Sequence, residues 1–129
     1  MKIKKEILDF IKEHGNKELP NEACGYLAGV NDEILTAVKM TNIDKSPEHF
    51  SFDIKEQFNV VKNLREKGLE IKGVYHTHPS SPARMSDEDI RLANDINLFY
   101  LIYSLIYDNF AVFKITKEKF VIPVEIEVI

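Results

Sequence analysis

A single cysteine, Cys24, stands in this chain of 129 residues, so no disulfide can form within it. That scarcity points to a reducing compartment, and the expected localisation is cytoplasmic. Positive charge is also short. The 17 Lys and Arg are outnumbered by 21 Asp and Glu, giving a formal net charge of -4, which excludes the broad basic footprint of a nucleic-acid binder. The one basic cluster, Lys2, Lys4 and Lys5, reads as the solvated side of a first helix. Long apolar runs are missing too. The longest, Leu98 to Tyr107, is interrupted by Ser104 and is too short to cross a bilayer as a helix, so it reads as a buried strand. The opening MKIKKEILDFIKEHG carries charges where a secretion signal requires an apolar run. No repeat, low-complexity tract or linker divides the chain, and its length suits one domain over residues 1–129.

What is present is 44% hydrophobic and 29% charged, the balance of a packed domain. Apolar residues at Ile3, Ile7, Phe10 and Ile11 share a helical face, which predicts a helix over residues 3–14 stopped by Gly15. Residues 23–30 and 33–40 are apolar runs joined by Asn31-Asp32, a turn pair, and read as a hairpin. Phe50 to Phe52 suggests a short strand. Asp53 then reads as an N-cap with Glu56 as its capping-box partner, opening a helix that carries Ile54, Phe58, Val61 and Leu64 on one face and ends near Gly68. A strand over 71–78, a helix over 86–96 and three strands over about 99–107, 110–116 and 120–128 complete the order. Pro123 places the last strand at a sheet edge. The expected fold class is α/β, a sandwich built on a single mixed β-sheet flanked by helices.

One segment carries chemistry. His76 and His78 are two apart in a strand, so both side chains leave the same face and can reach one cation. Pro79 cannot continue the ladder, and the chain turns away there. After six residues come Ser86 and, in the first turn of the next helix, Asp89, whose carboxylate can swing back to the strand end. Three protein ligands with a position left for water describe a catalytic zinc site, and zinc lowers the pKa of that water to ~7. Other zinc signatures are absent: there is no H-E-x-x-H, and a single cysteine cannot supply the paired motif of a nucleic-acid deaminase.

Each of these residues also has an ordinary use. Ser86 and Asp89 form an N-cap and its acidic partner, and both uses can hold at once. Glu22 can be a loop acid, and its position alone does not distinguish it from Glu18 or Glu48. Cys24 can be a small buried apolar residue. His14 and His49 have no partner at ligand spacing and read as surface residues.

The pattern His76-x-His78-Pro79-x(6)-Ser86-x-x-Asp89, with Glu22 opening a Glu-Ala-Cys-Gly-Tyr-Leu stretch, resembles the JAMM (MPN-plus) metallopeptidases, in particular their short stand-alone prokaryotic members. The resemblance implies the JAMM/MPN, cytidine-deaminase-like sandwich. It implies one zinc per chain held by His76, His78 and Asp89. It implies Glu22 as the acid that takes a proton from the attacking water and passes it to the leaving amine, and Ser86 as donor to the oxyanion. It further implies a substrate: a ubiquitin-like or sulfur-carrier protein cleaved at the peptide or isopeptide bond after its C-terminal Gly-Gly. The tail would lie extended beside the site, where strand addition to an exposed edge is a common way to hold it. The short 79–85 loop points to low linkage selectivity or to a single dedicated carrier.

Two other readings stand beside this one. A thiol hydrolase would use Cys24 as nucleophile, which needs a histidine partner and a stabilised thiolate. A non-catalytic module recognising a ubiquitin-like partner would hold a structural zinc, with Cys24 or Glu22 as fourth ligand.

Overall fold

A computed structural model describes residues 1–129. Its strands are β1 (Lys2–Ile3), β2 (Cys24–Val30), β3 (Glu33–Met40), β4 (Glu70–His78), β5 (Phe99–Ser104), β6 (Asn109–Ile115), β7 (Val121–Val124) and β8 (Glu127–Val128). Its helices are α1 (Lys5–Glu18), α2 (Ile54–Glu66) and α3 (Asp87–Leu92). All strands join one sheet in the order β7-β6-β5-β4-β2-β3-β1-β8. The sheet is mixed: β4 and β5 run parallel, as do β1 with β3 and β8, and the other neighbours are antiparallel.

The edge strands β7 and β8 are separated by only Glu125 and Ile126. So short a link spans at most about 10 Å of extended chain. The sheet must therefore curl until its two edges nearly meet. Helix α1 fills the curl, and its Ile7, Leu8 and Ile11 pack with Leu27, Ile34, Tyr75, Leu101 and Val112. Each such side chain taken from water stabilises the fold by about 1.5–3 kcal/mol before entropy is charged against it. The other face carries Cys24, Tyr26 and Met40, covered by Val60 and Val61 of α2 and by Phe50 and Phe52.

Several expectations require correction. Gly15 does not stop α1. It is buried in the helix, where a Cβ would come within 3.0 Å of Thr77 Cγ2, so its value there is close approach to β4. The helix runs to Glu18 because Pro20 forces the preceding Leu19 into extended backbone. Its start is also later, since Lys2 and Ile3 pair as β1. Asp53 does cap α2, accepting from the Lys55 and Glu56 amides, but Glu56 does not return the bond. Its carboxylate instead accepts from Thr41 N and Thr41 Oγ1. Ile54 and Phe58 are not core: they are 82% and 70% exposed. Phe50 to Phe52 contributes only an isolated bridge, Asn42 to Phe52. Helix α3 ends at Leu92, short of Ile96, and β5 ends at Ser104. The predicted last strand breaks at 125–126 and divides between the two sheet edges, with Pro123 on edge strand β7 as expected.

Candidate metal centre

The site lies where β4 ends. Its parallel neighbour β5 leads away on one side, and the antiparallel β2 begins on the other with Cys24 directly opposite His76. Continuing that register by two residues puts Glu22 opposite His78. The period of two in β4 turns His76 and His78 to the face that also carries α2, and both are buried. The crossover from β4 to β5 contains α3, whose first turn brings Asp89 over the strand end.

Three donor atoms converge. His76 Nε2 and His78 Nε2 are 3.1 Å apart, and Asp89 Oδ2 is 3.1 Å from each. Tetrahedral zinc, with bonds of about 2.0–2.1 Å, separates its ligand atoms by about 3.3 Å. The tautomers suit a cation as well. His78 Nδ1 lies 2.8 Å from the Pro82 carbonyl, which can only accept, so Nδ1 donates there and Nε2 is the ring nitrogen left facing the centre. The His76 ring packs against Phe50 at a tilt of 30°, with centroids 4.8 Å apart. Burial holds the His76 pKa below the usual imidazole range, keeping the ring neutral and free to ligate. Burial alone would raise the Asp89 pKa. Hydrogen bonds with the His76 and His78 rings and with the Ser86 amide outweigh it and hold the carboxyl well below the usual range, as an anion; a cation at the centre would take the place of the ring protons in those contacts. The donor set therefore fits a divalent cation such as zinc.

Ser86 and Asp89 close a reciprocal capping box. Asp89 N donates to Ser86 Oγ at 3.0 Å, and Ser86 N donates to Asp89 Oδ2 at 3.0 Å. The cap expected of Asp89 is present, and the oxygen it fixes is the one that faces the histidines. Because Ser86 Oγ accepts from the backbone, its own hydrogen remains free to donate outward.

Of the three glutamates that the sequence left open, the structure buries one at this centre. Glu22 is 2% exposed, and its Oε1 has no hydrogen-bond partner. Burial, followed by the nearby charges of Asp89, Glu88 and Glu48, pushes its pKa up to about 9. Its backbone is fastened: Glu22 N donates to Ser46 O, and Asn42 Nδ2 donates to Glu22 O and to His49 O. Glu18 lies elsewhere, 3.7 Å from His14 Nε2. His14, expected at the surface, is buried with its Nδ1 2.8 Å from Tyr75 Oη. Cys24 has no exposed surface, its pKa is pushed up to about 12 by burial, and Sγ lies 3.9 Å from Met40 O. Such a thiol is a poor nucleophile.

The supporting residues Phe50, Pro82 and Asn42 gave no signal in the sequence. Phe50 and Asn42 act through contacts between segments distant in the chain, and Pro82 through a turn four residues past His78.

A cleft of about 740 Å³ opens from His76 and Asp89. Val74, Ile71 and Tyr100 of the sheet form its floor, with Gln57, Val61 and Arg65 of α2 on one side. Leu92 at the end of α3, with Ala93, Asn94, Asp95, Asn97 and Leu98 between α3 and β5, forms the other side.

Residues 4–116 match the family of prokaryotic homologs of the JAB domain. The chain belongs to that family. This bears out the resemblance carried by the histidine, serine and aspartate spacing. Among JAB relatives, the CysO-cysteine peptidase of Mycobacterium tuberculosis is 29% identical over 104 residues, covering 79% of this chain and 71% of the relative. The desampylase of Haloferax volcanii is 30% identical over 101 residues, covering 76% of this chain and 73% of the relative. A solution structure of a Desulfitobacterium hafniense protein superposes with a TM-score of 0.91 at 39% identity, covering 99% of this chain and 92% of that one. The curled sheet with α1 inside and the cleft outside is therefore the architecture of this JAB chain from end to end.

Proposed function

We propose that this JAB domain is a zinc-dependent peptidase. It cleaves a peptide or isopeptide bond after the C-terminal Gly-Gly of a ubiquitin-like or sulfur-carrier protein. The observation that carries the reading is the triangle of His76, His78 and Asp89 beside a buried carboxyl, Glu22, whose Oε1 nothing in the fold satisfies. A buried polar group left unpaired costs about 1–3 kcal/mol, and such a cost is retained where it serves a reaction. The relatives named peptidase and desampylase support the same class of activity.

Zinc, when bound, supplies Lewis acidity: it polarises the scissile carbonyl and makes water acidic at neutral pH. His76, His78 and Asp89 hold it, with Pro82 O and the Ser86 amide fixing two of those ligands. Glu22, whose proton is kept on by burial, would ionise with a cation bound nearby, and its carboxylate could then take the proton of the attacking water. Glu22 then delivers that proton to the leaving nitrogen. The free hydrogen of Ser86 donates to the oxygen on which negative charge develops. The cleft beside His76 receives the extended tail. Exposed Ile54 and Phe58, on the helix that borders it, offer an apolar surface to the folded body of the substrate.

Metal analysis of purified protein, run with a panel of carrier-protein fusions and diubiquitins, tests the reading. One zinc per chain and cleavage after Gly-Gly that chelator abolishes are expected. Zinc retained without hydrolysis of any Gly-Gly tail would leave only a binding module. A sharp preference for one ubiquitin linkage would count against the low selectivity expected of so short a 79–85 loop.

A further inference from the structure

Helix α3 is an unusual carrier for a metal ligand. It has six residues, none of them buried, so core packing does not hold it. Its N-terminal end is fixed by the Ser86–Asp89 capping box. At its other end the last carbonyls would be left without partners, as at any helix C-terminus. One side chain from a distant hairpin meets them. Lys119, in the turn between β6 and β7, places Nζ 3.1 Å from Ile90 O, 3.4 Å from Arg91 O, 2.6 Å from Ala93 O and 2.9 Å from Asn94 Oδ1. An ammonium has three protons, so four oxygens around it saturate the group. The positive charge also sits at the end of the helix dipole that favours it. The lysine itself is held in place: its backbone, at φ 70°, donates to Thr116 O at 2.9 Å. Lys114 of β6 makes a parallel contact, donating to Asn97 O at 3.0 Å.

We infer that Lys119 is a positioning residue for the metal centre, tethering the C-terminal end of α3 so that Asp89 and the adjoining cleft wall are held over β4. This rests on the metal-centre reading above. Lys119 touches none of the three ligands. It acts through the carbonyls of Ile90 and Arg91, on the same short helix as Asp89, through that of its C-cap Ala93, and through Asn94 on the rim of the cleft. The physical claim is that a helix with no residue in the core, though its Asp89 side chain is only 9% exposed, needs both ends fastened before that carboxylate can meet two buried imidazoles.

The test uses the full chain with three substitutions. Lys119→Met keeps the length of the side chain and removes every donor. Lys119→Arg keeps charge and donors, and Lys119→Gln keeps a shorter donor. Zinc affinity is read by chelator competition on metal-free protein, and backbone order by hydrogen exchange. Lys119→Met is expected to weaken zinc binding about tenfold, the low end of what loss of a supporting contact costs a metal site. It should speed exchange of the Ile90 and Ala93 amides while those of β2 and β4 stay as in the wild type. Lys119→Arg should recover most of both, and Lys119→Gln should fall between. Wild-type zinc affinity together with unchanged α3 exchange in Lys119→Met would overturn the inference, as would the same loss in Lys119→Arg as in Lys119→Met. Uniformly faster exchange across all strands would overturn it too, by making Lys119 a residue of general stability. Failure of the wild type to bind zinc would instead overturn the metal-centre reading, and exchange in α3 would then decide the tether alone.

Discussion

Glu22 is protonated at a pH where an exposed glutamate has long since ionised, and its consequences can be measured on metal-free protein. In the unfolded chain its proton leaves near the ordinary value of 4.5, and in the fold near about 9. Between those values the folded state holds one more proton than the unfolded state. The stability Glu22 contributes is thus fully present below about pH 4.5 and is lost as pH rises toward 9. Glu22→Gln has no such titration. In chelator, the melting temperature of this variant relative to wild type should climb steadily from pH 5 to pH 9, and a constant difference would contradict the assignment. With zinc, the same variant should keep its metal and lose about 10²–10⁴ in kcat, the range of a general base. Ser86→Ala should lower kcat by about 10²–10³ by removing an oxyanion donor. It should also cost about 1 kcal/mol in urea unfolding by removing a cap. Loss of the cap alone, with the rate intact, would remove Ser86 from the chemistry. Cys24→Ala should leave activity largely unchanged, since the thiol is buried and un-ionised.

At the scale of elements, the register of β2 on β4 is what brings Glu22 and Cys24 to the histidine end. Gly25 sets how closely these strands approach. A Cβ there would lie 2.3 Å from Tyr75 Cε1 and 2.4 Å from Val38 O. Gly25→Ala should therefore destabilise by about 1–3 kcal/mol, the range for overpacking, which urea unfolding would read. Helix α2 shows where sequence patterning and tertiary structure part. Its apolar positions repeat at helical spacing, and that period says which residues share a face but not whether the sheet reaches all of them. The sheet covers Leu64 and leaves Ile54 and Phe58 outside. Phe58→Asp should then change stability by no more than about 0.5 kcal/mol, as for an ordinary surface site. It should raise KM for a folded carrier protein while leaving a short Gly-Gly peptide unaffected. Equal effects on both substrates would mean that Phe58 contacts no substrate body.

For the molecule as a whole, what could be read from the sequence was local. The His76-x-His78 period, the stop at Pro79 and the Ser86–Asp89 cap are all short-range features, and they point to the three donors that the fold brings together. Glu22 is named by the family resemblance; its position alone does not tell it from Glu18 or Glu48, because the pairing of β2 with β4, across some fifty residues, is what brings it beside the histidines. The same limit hid β1 and β8, two residues each, whose pairing depends on the sheet curling until its edges approach. It also made Gly15 look like a helix stop when its use is contact with Thr77. A ligand set assembled by the fold should in turn stabilise it. Zinc at 100 times its dissociation constant adds about 2.7 kcal/mol to folded wild type, and little to a His76→Ala, His78→Ala double variant, when both are followed by thermal unfolding.

The most direct measurement is cleavage of a Gly-Gly amide fusion by metal-free protein as zinc is added in known amounts. The account predicts no turnover without metal and activity that rises linearly to a break at one zinc per chain, with Glu22→Gln slower by about 10²–10⁴ throughout. Turnover that persists in chelator, or a flat line at every zinc concentration, would contradict it.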